Sequence, residues 1–139
     1  MTMHLAIGDS SGPLSIASVS HYNPTGVLLT PGATYEIAAD DSRWVDWHLA
    51  SSADGRIEPS FAQSMARWAL RCKEGRWFQL IGAVGRTDAH LFPIGKHAVW
   101  TYEGQSGEAE PELFLFANDA WFAYLNNHGA VNVTVTRLR

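Results

Sequence analysis

Leu113-Phe114-Leu115-Phe116 is apolar at every position, and Val131-Asn132-Val133-Thr134-Val135-Thr136 alternates without a break. A run that is apolar on both faces belongs to a strand covered on both sides, as in the middle of a sandwich. Strict alternation marks a strand with one face buried and one face wet. These two stretches make the last third of the chain a pair of strands, and shorter pieces repeat the theme upstream. Leu14 to Val19 alternates weakly, and His21 to Gly26 reads as a turn. Val27-Leu28-Leu29 and Thr34-Tyr35-Glu36-Ile37 flank Pro31-Gly32. Trp77 to Ile81 stops at Gly82, and Ala98 to Tyr102 precedes a loop from Glu103 to Pro111. Twelve Gly and six Pro fall between these pieces, which is the punctuation of an all-β protein.

One segment departs from that pattern. Phe61, Met65, Trp68 and Cys72 recur at i, i+4, i+7 and i+11, with Gln63, Ser64, Arg67 and Arg71 on the other side. The spacing predicts an amphipathic helix that starts near Pro59-Ser60, ends before Gly75 and buries its apolar face. The expected architecture is all-β, a small jelly-roll β-sandwich with one inserted amphipathic helix. At 139 residues, without repeat or linker, residues 1–139 form one domain.

Six Trp, six Phe and four Tyr demand burial and exclude disorder for the body of the chain. The net charge is −4 and the ten basic residues are scattered, so no basic stripe exists for nucleic acid or an anionic membrane. Apolar runs reach about five residues, far below a membrane span, so no membrane insertion is expected. The start of the chain has no basic region and no sustained apolar stretch, which predicts cytoplasmic synthesis, with any export by a non-classical route. The single cysteine, Cys72, reads as a small buried hydrophobe.

Most enzyme-like features are weak. Gly8-Asp9-Ser10-Ser11-Gly12 matches a serine-hydrolase environment only over a few residues, at a terminus expected to fray. The six His lack metal spacing. Asp46 with His48 and Asp88 with His90 are i, i+2 pairs of a common, inert kind, and Glu108, Glu110 and Glu112 read as a solvated acidic loop. Asn118 to Gly129 is different. It joins the two strongest strands and carries one carboxylate, three amides and irregular backbone. Calcium takes six to eight such hard oxygens, and Asp119, Asn126 and Asn127 supply side-chain candidates. A polar turn that uses Asn for left-handed conformations reads from the same composition.

Gly107-Glu108, Glu112 to Asp119, Tyr124, Asn126-Asn127 and Gly129, followed by the closing Val131 to Arg137 strand, resemble the PA-IL-like family of galactose-binding calcium lectins. Fainter likeness runs through Thr25-Gly26-Val27, Gly32 to Ile37, Trp44 to Trp47, Asp54-Gly55 and Trp77 to Gly85. The resemblance implies a galactose-binding-domain-like sandwich that binds galactose or a galactoside without catalysing a reaction. It implies a calcium ion held by the side chains of Asp119, Asn126 and Asn127, the carbonyl of Ala123, and a carbonyl from the Trp44–Trp47 loop, with Trp47 favoured. Two sugar hydroxyls would complete the coordination, with Asp119, Asn126 and Asn127 also hydrogen-bonding them and Trp47 or Trp121 covering the ring. Where that family has His-Pro-Asp-Gln, this chain has Ser52-Ala53-Asp54-Gly55, so only Asp54 carries over as a sugar contact. A homodimer or homotetramer is implied as well. Two other readings are a calcium-stabilised interaction module without sugar binding, and a hydrolase built on Asp46 and Asp54.

Overall fold

The computed structural model describes residues 2–139. The strands are β1 (Met3–His4), β2 (Leu14–Ala17), β3 (Asn23–Leu28), β4 (Thr34–Ala39), β5 (Trp44–Asp46) and β6 (Leu49–Ser51), then β7 (Leu80–Val84), β8 (Leu91–Pro93), β9 (His97–Thr101), β10 (Glu112–Ala117) and β11 (Asn127–Arg137). One short helix, α1 (Phe61–Met65), lies between β6 and β7. One sheet is ordered β1-β3-β10-β7-β8 and the other β6-β5-β11-β4-β9, with β2 also paired to β11. This is the expected all-β sandwich.

The two stretches that decide the fold are the spines of the two sheets. β10 pairs antiparallel with both β3 and β7. Its Leu113, Leu115 and Ala117 enter the main core, while Phe116 enters a second cluster with Cys72, Ile81, Ala83 and Tyr124. Both faces are covered, which is why the run is apolar throughout. β11 pairs in turn with β5 over residues 127–129, β2 over 130–133 and β4 over 133–137. Val131, Val133 and Val135 are fully buried against Ile16, Ile37, Trp44 and the β10 residues.

Four local expectations change. His21 to Gly26 is not all turn, because β3 begins at Asn23. Its inward residues are polar: Asn23 bonds the Ala17 and Leu115 backbone, and Thr25 Oγ1 donates to the Leu113 carbonyl at 2.6 Å. Gly82 does not stop a strand but sits inside β7, where the Phe92 ring occupies the space its Cβ would need, 2.3 Å away. Gly8 to Gly12 does not fray. Gly8 and Ser11 donate to Arg137 and Val135, and Arg137 donates back to Asp9, so the segment lies along β11.

The fourth change is the largest. The helix stops at Met65 and a 3-10 turn covers Arg67–Ala69. Phe61 and Trp68 are 82% and 75% exposed and Met65 is exposed too, whereas Gln63 is buried and the Arg71 side chain is enclosed. Beyond the turn the backbone is extended and pairs with the loop after β10. Leu70 bridges Ala120, the Arg71 amide donates to the Asp119 carbonyl, and the Cys72 peptide forms two hydrogen bonds with the Asn118 side chain. Buried loop backbone needs partners, and taking them from residues 70–72 cuts the helix short. Arg71 then turns inward to ion-pair Asp88 at 2.7 Å and lies 3.6 Å from the Phe116 ring centroid.

Candidate functional site

At one end of the sandwich the last inward positions of β5 and β11 meet the loop after β10. Asp46 and Asn127 are directly paired across the β5–β11 ladder, which places both side chains on one face. β5 then turns into β6 through Trp47 and His48. Trp47 takes a left-handed φ of 57°, a conformation usually given to glycine in such turns. Its N–H donates to the Asn126 carbonyl at 3.0 Å, tying the turn to the 3-10 segment Trp121–Asn126.

Asp119 sits at the base, almost fully buried. Its Oδ1 accepts from the Ala120 N–H at 2.8 Å and its Oδ2 from Asn127 Nδ2 at 3.0 Å. Burial pushes its carboxyl up to about 7, and the nearby Asp46 charge adds to the rise against those two hydrogen bonds. Burial also raises Asp46, opposed chiefly by the hydrogen bond from Gln63. Asn127 divides its Nδ2 between Asp119 and the Ser18 carbonyl, and among the described residues its buried Oδ1 has no partner. An acceptor orphaned in this way costs about 1–3 kcal/mol, and buried orphans in native folds call for an explanation.

Above these groups opens a cleft of about 500 Å³, walled among others by Trp47, Phe61, Gln63, Trp77, Asp119, Phe122, Ala123 and Asn126. The start of α1 builds one wall. Ser60 caps the helix by accepting from the Gln63 N–H, and Gln63 Oε1 accepts from the Ser60 N–H. That capping box turns the Gln63 amide so that Nε2 donates to Asp46 Oδ2 at 3.0 Å. Trp77 adds a second orphan, a buried Nε1–H without an acceptor.

Of the residues singled out from the sequence, Trp47, Asp119, Ala123 and Asn126 line this cleft and Asn127 lies directly behind Asp119. Two are elsewhere. Trp121 is not in the cleft wall; its ring lies 4.1 Å from that of His21 and beside the Arg71 guanidinium. Asp54 sits in a separate polar depression with Arg43, Arg56 and Lys96, where Oδ1 accepts from the Lys96 N–H. Asp46 and Asp54 therefore do not face each other across one cleft. Nor do the other imagined pairs form: Asp46 bonds Gln63, and Asp88 bonds Arg71 and Tyr22. Sequence reasoning missed Gln63, Trp77 and Phe61 as cleft residues. The Ser60-x-x-Gln63 capping signature was the one available hint.

Among the described residues no three His, Cys, Asp or Glu side chains converge as a metal site. Any cation here must rely on amide and carbonyl oxygens beside carboxylate. The Asp119 carboxylate and the Asn127 amide are oxygen donors of that kind, the His48 imidazole also lines the cleft, and the orphaned Asn127 Oδ1 is an acceptor without a donor. That donor set fits calcium. Neither a family model nor a curated protein matches the chain. A solved structure does: the EclA N-terminal domain, described as a PllA-like lectin, matches with a TM-score of 0.63, covering 90% of this chain and 94% of that one at 23% identity. The chain thus shares its fold with a lectin domain.

Proposed function

We propose that this protein is a non-catalytic, calcium-dependent carbohydrate-binding lectin of the PA-IL-like kind, with galactose or a galactoside as first candidate ligand. The observation that carries the reading is the orphaned Oδ1 of Asn127, whose Nδ2 donates to the buried Asp119 carboxylate at the foot of an open cleft. The residues that would hold calcium are Asp119, Asn126 and Asn127 through side chains and Trp47 and Ala123 through carbonyls. When bound, the ion offers its remaining coordination positions to a pair of sugar hydroxyls. The chain's own groups do the rest. Asp119 is fixed by the Ala120 amide and Asn127, so its carboxylate is pre-oriented. Trp47, Phe61 and Phe122 are exposed at the rim and wall the cleft, where aromatic faces can cover the apolar side of a pyranose. The structural neighbour, itself described as a lectin, supports the same reading.

The test is binding to a galactoside surface in millimolar calcium and then in excess chelator, with a glycan array to widen the choice of sugar. Binding that vanishes in chelator supports the proposal, and equal binding in both conditions refutes calcium dependence. One observation favours a second reading. Phe61 and Phe122 at the cleft, and Met65, Trp68 and Leu125 elsewhere, are exposed apolar side chains, which suits a calcium-stabilised interaction module. Calcium binding with no glycan recognised on the array would select it, and release of reducing sugar would show that the site is catalytic after all.

A further inference from the structure

The resemblance that frames the calcium site supplies it with one carboxylate, Asp119. We propose that Asp46 is a second carboxylate ligand of the same cation, held in place by Gln63. The inference rests on the calcium reading above and concerns residues to which that reading gives no part.

The geometry begins with the ladder. Asp46 is the direct cross-strand partner of Asn127, and directly opposed residues have Cβ atoms about 5 Å apart on the same face. Asn127 reaches Asp119 at 3.0 Å. Asp46, Asn127 and Asp119 are therefore linked one to the next, and the Asn127 Oδ1 is unpartnered. Both carboxylates line the cleft. Two carboxylates on one cleft with an unfilled amide oxygen nearby are hard donors of the kind calcium takes.

The Asp46 side chain is also oriented as a ligand. Oδ2 accepts from Gln63 Nε2, whose own position is set by the Ser60 capping box. Among the described residues Asp46 accepts only at Oδ2, which leaves Oδ1 for the cation. Gln63 is thus a positioning residue, acting on the ion only through Asp46, as partners behind metal ligands commonly do. Asp54, the other acidic residue suggested by sequence, is bound to the Lys96 amide in a different depression and has no part in this group.

The experiment is calcium calorimetry on the intact chain, with Asp46→Asn and Gln63→Ala beside the wild type. Asp46→Asn is expected to weaken calcium binding about 10- to 100-fold and Gln63→Ala about 3- to 10-fold. Weakening alone would also follow from a nearby charge that does not touch the ion. The second measurement therefore uses terbium in place of calcium and reads its luminescence lifetime in light and heavy water. Asp46→Ala should add about one water to the ion, since a lost ligand is replaced by solvent. Unchanged calcium affinity in Asp46→Asn overturns the proposal, and so does weaker binding with an unchanged hydration number in Asp46→Ala. A wild-type chain that binds no calcium would sink the calcium reading itself. Calcium bound equally well without Asp46 would sink only this addition.

Discussion

Removing the Asp119 charge should make the calcium-free protein more stable while destroying its ability to respond to calcium. In the absence of metal the folded chain holds Asp119 with its carboxyl pushed up from 3.8 to about 7, mainly by burial. Ionising it at pH 8 therefore opposes folding by about 4 kcal/mol. Asp119→Asn has almost the same shape and no charge. Its oxygen can still accept from the Ala120 N–H, but its NH₂ would face the Asn127 Nδ2 donor, at a cost of about 2 kcal/mol. The net expectation is about 2 kcal/mol of added stability at pH 8, about 6 °C in a domain of this length. The pH profile follows from the raised pKa. Because the folded value lies above the unfolded one, this group's contribution is complete below about pH 4 and is lost as pH rises towards 7. In chelator the wild type should lose melting temperature over that window, while Asp119→Asn lacks this component. Calcium should raise the wild-type melting temperature at pH 8 and leave the variant unmoved. Differential scanning calorimetry in chelator and in calcium, from pH 5 to 8, reads all of this. A variant that melts at or below the wild type in chelator at pH 8 would refute the reasoning, because burial would then not be straining Asp119.

Three further outcomes follow from the site. Trp77→Phe removes the orphaned Nε1–H together with part of a buried indole that packs with Leu70 and Ala120, so thermal unfolding should show a loss of about 2 kcal/mol; an unchanged melting temperature would mean that the cleft wall closes around the smaller ring. Trp47→Gly relieves the left-handed strain at φ 57°, so thermal unfolding should show a gain of about 1 kcal/mol while sugar binding weakens; a fall in stability would mean that the exposed ring packs against something the turn requires. The assembly expected from the family resemblance is a symmetric dimer or tetramer, and light scattering at micromolar concentration that returns the mass of one chain would refute it.

What the sequence determined by itself is the sandwich and the material of the site. Continuous apolarity at Leu113–Phe116 and alternation at Val131–Thr136 report burial on two faces and on one, a property of each strand that neighbours do not alter. Asp119, Asn126 and Asn127 are close along the chain, so a single loop suffices to bring them together. Beyond that, tertiary structure decided. The helix pattern at Phe61, Met65, Trp68 and Cys72 was locally convincing, yet the loop after β10 needed backbone partners from residues 70–72 and turned most of that apolar face to solvent. Asn23 and Thr25 looked like turn residues because their inward polar groups are satisfied only by a neighbouring strand. Asp46, Gln63 and Trp77 join Asp119 through a cross-strand pair, a capping box and a sheet end. These are contacts between residues far apart in the chain, and no local pattern encodes them.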